Sequence, residues 1–282
     1  MISFDFLAAP GQLGNQMFKY AALRGIAKNN NYDFLVPPSK YFLEKNKYLN
    51  KFYRKLTGYG YQNHLLFEYF QMTTVPKSNI KFSKFKESQK PFNHMFDEEL
   101  FNNCQDNTQL NGFYQSPKYF KNIEEIIRKD FKFKKKISSK GNKIFKDFEP
   151  TCSIHIRRGD YLTNPNHFAL NLNYFYEAIE LVDRNSKFAV FTDDLNWFKS
   201  IELFKKKEFI LFSELTNKST ILDLYLMSLC KSHIISNSTF SWWGAWLSKP
   251  NKVLYPINWF KDGRSSADIP CKDWIGINNL IK

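Results

Sequence analysis

The sequence predicts an α/β protein whose C-terminal half carries a parallel sheet, and three observations lead there. From residue 151 onward, short β-rich runs alternate with segments of helical periodicity, the pattern of strands joined by crossover helices. Three polar clusters follow successive strands at equivalent positions, where open α/β sheets bind their ligands. The chain of 282 residues, 43% hydrophobic and 24% charged, exceeds one minimal core and suits two domains.

Within the C-terminal half, strands are predicted at 151–156, 187–191, 208–212, 233–236 and 253–255, the last being the final strand. Helices are predicted at 174–182, 195–204, 220–230 and 240–247, each from apolar residues at helical spacing. The first half is less regular. A glycine turn at 11–16 leads into helical periodicity at 17–28. A strand at 33–36 is stopped by Pro37-Pro38, and residues 40–100 show no order that can be assigned. An amphipathic helix is expected at 121–131. The stretch 134–150 opens with a lysine run, passes through Ser138-Ser139-Lys140-Gly141 and ends at Pro150. It reads as a domain junction, giving domains 1–148 and 149–282.

The net charge of +14 admits nucleic acid, an anionic membrane surface or a phosphorylated substrate as partner. The 34 lysines against 7 arginines count against nucleic acid, whose readers favour arginine forks. The runs Lys134–Lys136 and Lys205–Lys207 read as solvated faces, with a membrane-surface role left open. The four cysteines show no CxxC spacing and suit free thiols in a reducing compartment, with Cys152 and Cys230 in the core. No leader and no run near the ~20 apolar residues of a membrane span is visible. A cytoplasmic location follows, with peripheral attachment to the inner face of the membrane compatible.

Four clusters carry candidate chemistry. In HIRRGDY (155–161), two arginines stand at a strand end in a chain that seldom uses arginine; guanidinium forks grip phosphate. Arg157 and Arg158 are therefore phosphate candidates. Gly159 allows a sharp turn, Asp160 orients an arginine or accepts a proton, and His155 reads equally as a core or a ligand-facing histidine. In FTDD (191–194), Asp193 and Asp194 suit a ribose, a guanine edge or a metal, or cap the next helix; no His or Cys stands at metal spacing. In SNSTFSWWGAWL (236–247), Ser238, Thr239 and Ser241 crowd a helix N-terminus suited to phosphate, while Trp242 and Trp246 share a packing face. In GQLGNQMF (11–18), a glycine turn enters a helix with Asn15 and Gln16 at its mouth, without the third glycine of a dinucleotide fingerprint.

In this order the clusters, with LNGFYQSPKYF (110–120), DLYLMSLCKSHIISNSTFSWWGAWL (223–247), Pro256 and Trp259, resemble the α1,2-fucosyltransferase family (glycosyltransferase family 11) over most of the chain. The resemblance implies a GT-B-like fold of two Rossmann-like domains, with GDP-fucose on the C-terminal one and much of the acceptor site on the N-terminal one. It implies Arg157 on the donor β-phosphate, Asp193 or Asp194 near guanosine, and Ser238, Thr239 and Phe240 at the donor. His155, Arg158, Gly14 and Gln16 join the donor set, and Asn15 joins Arg157 and Asp160 as a catalytic candidate. The implied reaction is inverting, metal-independent transfer of fucose from GDP-fucose to a galactose 2-hydroxyl on a glycan, lipid-linked acceptors included. No cofactor and no nucleic acid are expected. Residues 40–95 match the family poorly, which leaves the acceptor open. A GDP-sugar transferase of different linkage and a catalytically silent nucleotide- or glycan-binding protein are the alternatives.

Overall fold

The computed structural model describes residues 1–4, 7–8, 11–36, 65–74, 86–87 and 95–280. The unassigned stretch 40–100, Pro37-Pro38 and part of the opening turn therefore lie largely outside the described residues. The chain forms two compact units, Met1–Lys134 and Lys135–Lys282.

The first unit is built on a four-stranded, all-parallel sheet in the order β2-β1-β4-β3. Its strands are β1 (Ile2–Ser3), β2 (Phe34–Leu35), β3 (Lys86–Glu87) and β4 (Thr108–Gln109). Helix α1 (Leu13–Asn29) is almost wholly buried. It starts one turn earlier than its periodicity indicates, so Gly14 and Asn15 belong to the helix. Short helices α2 (Leu66–Tyr69), α3 (Glu98–Asn103) and α4 (Glu124–Asp130) follow, α4 preceded by a 3₁₀ segment at Pro117–Ile123. A buried polar knot ties three of these segments together. Asp130, fully buried, pairs with Arg24 and accepts from the Tyr20 hydroxyl at 2.7 Å and the Thr73 backbone N–H at 2.9 Å. The carboxylate survives burial because a cation and further donors answer it.

The second unit opens with α5 (Lys135–Phe148), where the sequence reads as a junction. The unit boundary thus falls before this segment rather than at 148/149. Gly141 faces inward: a Cβ there would meet the Tyr225 ring at 2.3 Å. It permits close packing and does not break the helix. Ile144, Phe145 and Phe148 seal the same face against the core.

The six-stranded sheet that follows is wholly parallel, in the order β10-β9-β8-β5-β6-β7. Its strands are β5 (Cys152–Ile156), β6 (Phe188–Thr192), β7 (Phe209–Leu211), β8 (Ser232–Ile234), β9 (Lys252–Pro256) and β10 (Ile275–Ile277). The crossovers carry α6 (Leu172–Glu180), α7 (Leu195–Ser200), α8 (Phe212–Leu215), α9 (Thr220–Met227) and α10 (Thr239–Leu247). β5 and β6 are buried along their whole length, as strands covered on both faces must be. Cys152, Ile154, Phe188 and Val190 pack one way with Tyr174 and Phe175 of α6; Ala189 and Phe191 pack the other way with Phe212, Leu226 and Cys230. β10 is an addition to the strands expected from sequence, since 253–255 is not the last. The sheet winds outward in both directions from β5, and the order reverses between β5 and β8. That reversal opens the crevice in which doubly wound sheets bind ligands. Among the described residues, no helix is long and apolar enough to cross a membrane.

Candidate active site

Three of the four sequence clusters come together in the second unit, at the carboxyl ends of β5, β6 and β8. Arg157 leaves β5 with its guanidinium held by two carboxylates, Nη2 to Asp160 at 2.8 Å and Nη1 to Asp193 at 3.0 Å. Its side chain keeps 23% of its surface exposed, so the fork stays available to a ligand. The Arg157 N–H donates to Ser236 Oγ at 3.2 Å, and that hydroxyl donates to the His155 carbonyl at 2.6 Å. Ser236 therefore stitches the ends of β5 and β8 at the switch point.

Asp193 and Asp194 act here as organisers of the arginine pair. Asp193 accepts the N–H groups of Arg158 (2.8 Å) and Gly159 (3.1 Å), which sets the turn after β5. Gly159 is required by that approach, because a Cβ would sit 2.9 Å from the Asp193 carboxylate. Asp194 caps α7 through the Trp197 N–H at 3.0 Å and pairs with Arg158 Nε at 3.3 Å. Of the two roles weighed for this pair, capping is seen for Asp194, while Asp193 grips backbone and Arg157. Arg158 also lies 4.3 Å over the Trp197 ring, a desolvated face that favours a guanidinium. The end of β6 is braced from below. The Thr192 N–H donates to Ser213 Oγ at 2.9 Å, and Asp223 accepts from Thr216 at 2.5 Å. Burial raises the Asp223 carboxyl to about 6, the Thr216 and Ser213 hydroxyls pulling the other way.

Helix α10 points its N-terminus into the same region. Ser238 is its N-cap, accepting from the Phe240 N–H at 3.4 Å. The free N–H groups and positive dipole end of such a terminus suit a phosphate. Thr239 is its first residue, and Phe240 packs its ring 5.5 Å from His155. The remainder of the helix is core: Trp242 and Trp246 stack at 6.2 Å and 14°, and Trp242 Nε1 donates to the Ile269 carbonyl at 2.7 Å. His155 is buried, with Nδ1 lacking a protein partner. Burial lowers its pKa to about 3, the Arg157 charge adding to the shift and Asp193 opposing it. The ring is thus a neutral imidazole at the end of β5.

The fourth cluster belongs to the first unit. Gly11 has φ +115°, and a Cβ on it would collide with Asn15 Nδ2 at 2.5 Å. Asn15 is half-buried, its Oδ1 accepting from Gln115 Nε2 at 2.7 Å. Gly14 is buried in the helix's first turn. Gln16 is 1% exposed and its Oε1 accepts the Leu65 N–H at 3.2 Å. The structure therefore places Gln16 in the packing of α1 rather than at a ligand-facing mouth. Sequence reasoning placed Asn237 in the polar cluster after β8 but gave no role to Ser236, Tyr161, Trp197 or Gln115. Tyr161, beside Asp160, Ser236, two residues before Ser238, and Trp197, three residues beyond Asp194, all stood within reach of expected site residues; Gln115 did not. Among the described residues, no group of three His, Cys, Asp or Glu side chains is arranged to hold a metal ion.

Known proteins resemble this chain in sequence and in fold. The family model described as Glycosyl transferase family 11 covers residues 4–278. The O-antigen biosynthesis glycosyltransferase WbnK of Escherichia coli is 28% identical, the alignment covering 95% of this chain and 98% of WbnK. An alpha-1,2-colitosyltransferase from the same organism is 29% identical over 95% of this chain and 96% of its own length. Svh-11 of Caenorhabditis elegans, named as a candidate galactoside 2-alpha-L-fucosyltransferase, is 31% identical over 88% of this chain and 70% of its own length. Among solved structures, the NodZ alpha-1,6-fucosyltransferase soaked with GDP-fucose superposes with a TM-score of 0.54 at 14% identity, covering 89% of this chain and 93% of NodZ. The likeness to NodZ bears out the GT-B-like α/β class. With the family model spanning nearly the whole sequence, the chain belongs to glycosyltransferase family 11.

Proposed function

We propose that the protein is an inverting α1,2-fucosyltransferase that moves fucose from GDP-fucose to a galactose 2-hydroxyl of a surface glycan such as an O-antigen. The observation that carries this reading is Arg157, held by two carboxylates at the switch point beside the N-terminus of α10. The acceptor oxygen forms a bond to fucose C1 while the bond from C1 to the β-phosphate oxygen breaks, and GDP leaves. Negative charge grows on the phosphate as the sugar becomes cationic. Arg157 and the helix N-terminus meet that charge without reorganising, the kind of preorganised field that contributes most to such steps. The arginine and the helix dipole then fill the role a divalent metal has in other sugar-nucleotide enzymes. Asp160 is the proposed acceptor of the hydroxyl proton, oriented by its bond to Arg157. Transfer from labelled GDP-fucose to galactose-terminated disaccharides is expected to proceed undiminished in EDTA. Loss of product in EDTA, restored by added metal, would overturn the metal-free reading.

The colitosyltransferase relative supports a second donor. Colitose is fucose without the 3-hydroxyl. A pocket that hydrogen-bonds this hydroxyl rejects the deoxy sugar by roughly 10⁴-fold or more, whereas a pocket that merely accommodates it discriminates weakly. Competition between GDP-fucose and GDP-colitose decides the donor.

The acceptor is proposed to be lipid-linked and the enzyme cytoplasmic, docked on the inner leaflet by α5. Lys135, Lys136, Lys140, Lys143 and Lys146 are all exposed on this helix, opposite the face that Ile144, Phe145 and Phe148 bury. Each lysine close to an anionic leaflet contributes about 1 kcal/mol. Binding to vesicles rich in phosphatidylglycerol is expected, weakening in salt and on changing these lysines to glutamine. Equal binding to neutral vesicles, or none to either, would count against it.

A further inference from the structure

Resting on that reading of the site, we infer that Tyr161 and Asn237 form a strut that holds the two halves of the phosphate grip in register. The first half is the arginine turn after β5, and the second is the capped N-terminus of α10. Ser236 bonds only backbone groups at the end of β5, and Phe240 packs on His155, so neither reaches the Arg157 side chain.

Tyr161 reaches across. Its hydroxyl donates to the Asn237 carbonyl at 3.0 Å, the residue immediately before the α10 cap. Its ring supports the Arg157 guanidinium, whose carbon lies 5.6 Å from the ring centroid. The ring also stacks on His167 at 4.9 Å and 11°, and His167 packs on Phe260 at 5.3 Å. The tyrosine is thus held from several sides, and a held ring can hold an arginine.

Asn237 anchors the far end. It is 1% exposed, and its Nδ2 donates to the Phe168 carbonyl at 3.2 Å and the Trp259 carbonyl at 3.0 Å. One buried amide thereby pins the loops after β5, β8 and β9 to each other. The two carbonyls answer its donor half, while its buried Oδ1 has no protein partner; the cost of leaving both carbonyls unmatched is what calls for a donor here. Neither residue needs to touch the sugar nucleotide. They are positioning residues, acting through Arg157 and through the placement of the helix N-terminus.

The geometry separates the two actions of Tyr161. Tyr161→Phe keeps the ring under Arg157 and removes only the bond to Asn237. Tyr161→Ala removes both. Turnover from GDP-fucose, corrected for the fraction of each preparation that binds GDP, is expected to fall about 10-fold in the first and about 100-fold in the second, with KM for the donor changed less. Each figure corresponds to one or two decades of transition-state placement. The deciding measurement is a double-mutant cycle with Arg157→Ala. If Tyr161 acts through the arginine, Tyr161→Ala should cost far less in the Arg157→Ala background than in the parent. Fully additive losses, or a Tyr161→Ala enzyme as fast as the parent, overturn the strut. A Tyr161→Phe protein that melts lower but turns over normally also overturns it, by assigning the residue to stability alone. A parent protein that folds yet neither binds GDP nor consumes any GDP-sugar overturns the functional reading itself, and the strut with it.

Discussion

Replacing Arg157 by alanine is expected to slow transfer from GDP-fucose by about 10²–10³-fold, the loss seen when one preorganised donor to a developing oxyanion is removed. The fold should survive. Asp193 keeps the N–H groups of Arg158 and Gly159, so the turn stays formed, and Asp160 is more than half exposed and returns to water. If the proposed site is right, GDP affinity should fall less than turnover, because the α10 terminus and Arg158 remain to bind the phosphates while the charge that grows during bond breaking loses its partner. Arg157→Lys should recover little. A lysine is a point charge and cannot bridge Asp160 and Asp193 as the guanidinium fork does. Steady-state kinetics with GDP titrated by calorimetry check both halves, and near-normal turnover in Arg157→Ala would remove the arginine from the mechanism.

How far this site could be read from sequence depends on the range of the interaction. The strands β5, β6 and β8 were legible because each is a short apolar run ending in a polar cluster. Arg157, the two aspartates and Ser238 follow from their places just past those strand ends. Which carboxylate serves which arginine was not legible, since Asp193 and Arg158 are brought together only by the parallel pairing of β5 with β6. Tyr161 and Asn237 meet across 76 positions and carry no local signal of it. β10 escaped notice because Ile-Gly-Ile is too short to show a period, and pairing with β9 makes it a strand. Gly141 misled for the opposite reason. Beside two serines and a lysine it reads as a break, but the Tyr225 ring that occupies its missing side chain lies far along the chain. Gln16 looked like a mouth residue for want of its partner, the Leu65 N–H, which only the packing of α2 against α1 supplies.

Lys19 escaped notice in the same way, and it supports a large prediction about stability. It is 1% exposed in the middle of α1, its ammonium 5.6 Å from the ring centroids of Phe4 and of Phe113. Burial lowers its pKa from 10.5 to about 7. The unfolded chain keeps the ordinary lysine value. Between about pH 7 and 10.5 the unfolded state therefore binds more protons than the native one, and stability rises with pH through that window. Below it, the cost of burying the ammonium is fully present. The whole shift corresponds to at most about 5 kcal/mol, with the two aromatic faces returning part of the cost to the charged form. Lys19→Met keeps the length and apolar stem without the charge. Its stability is expected to lose the rise between about pH 7 and 10.5 that Lys19 gives the parent, seen as a flatter curve of melting temperature against pH. Lys19 stands one helical turn beyond Asn15, on the same face of α1. If this part of α1 serves the reaction through that charge, the Met variant will also be less active. A Met variant whose melting temperature climbs with pH through that window as the parent's does would show that another group carries the dependence.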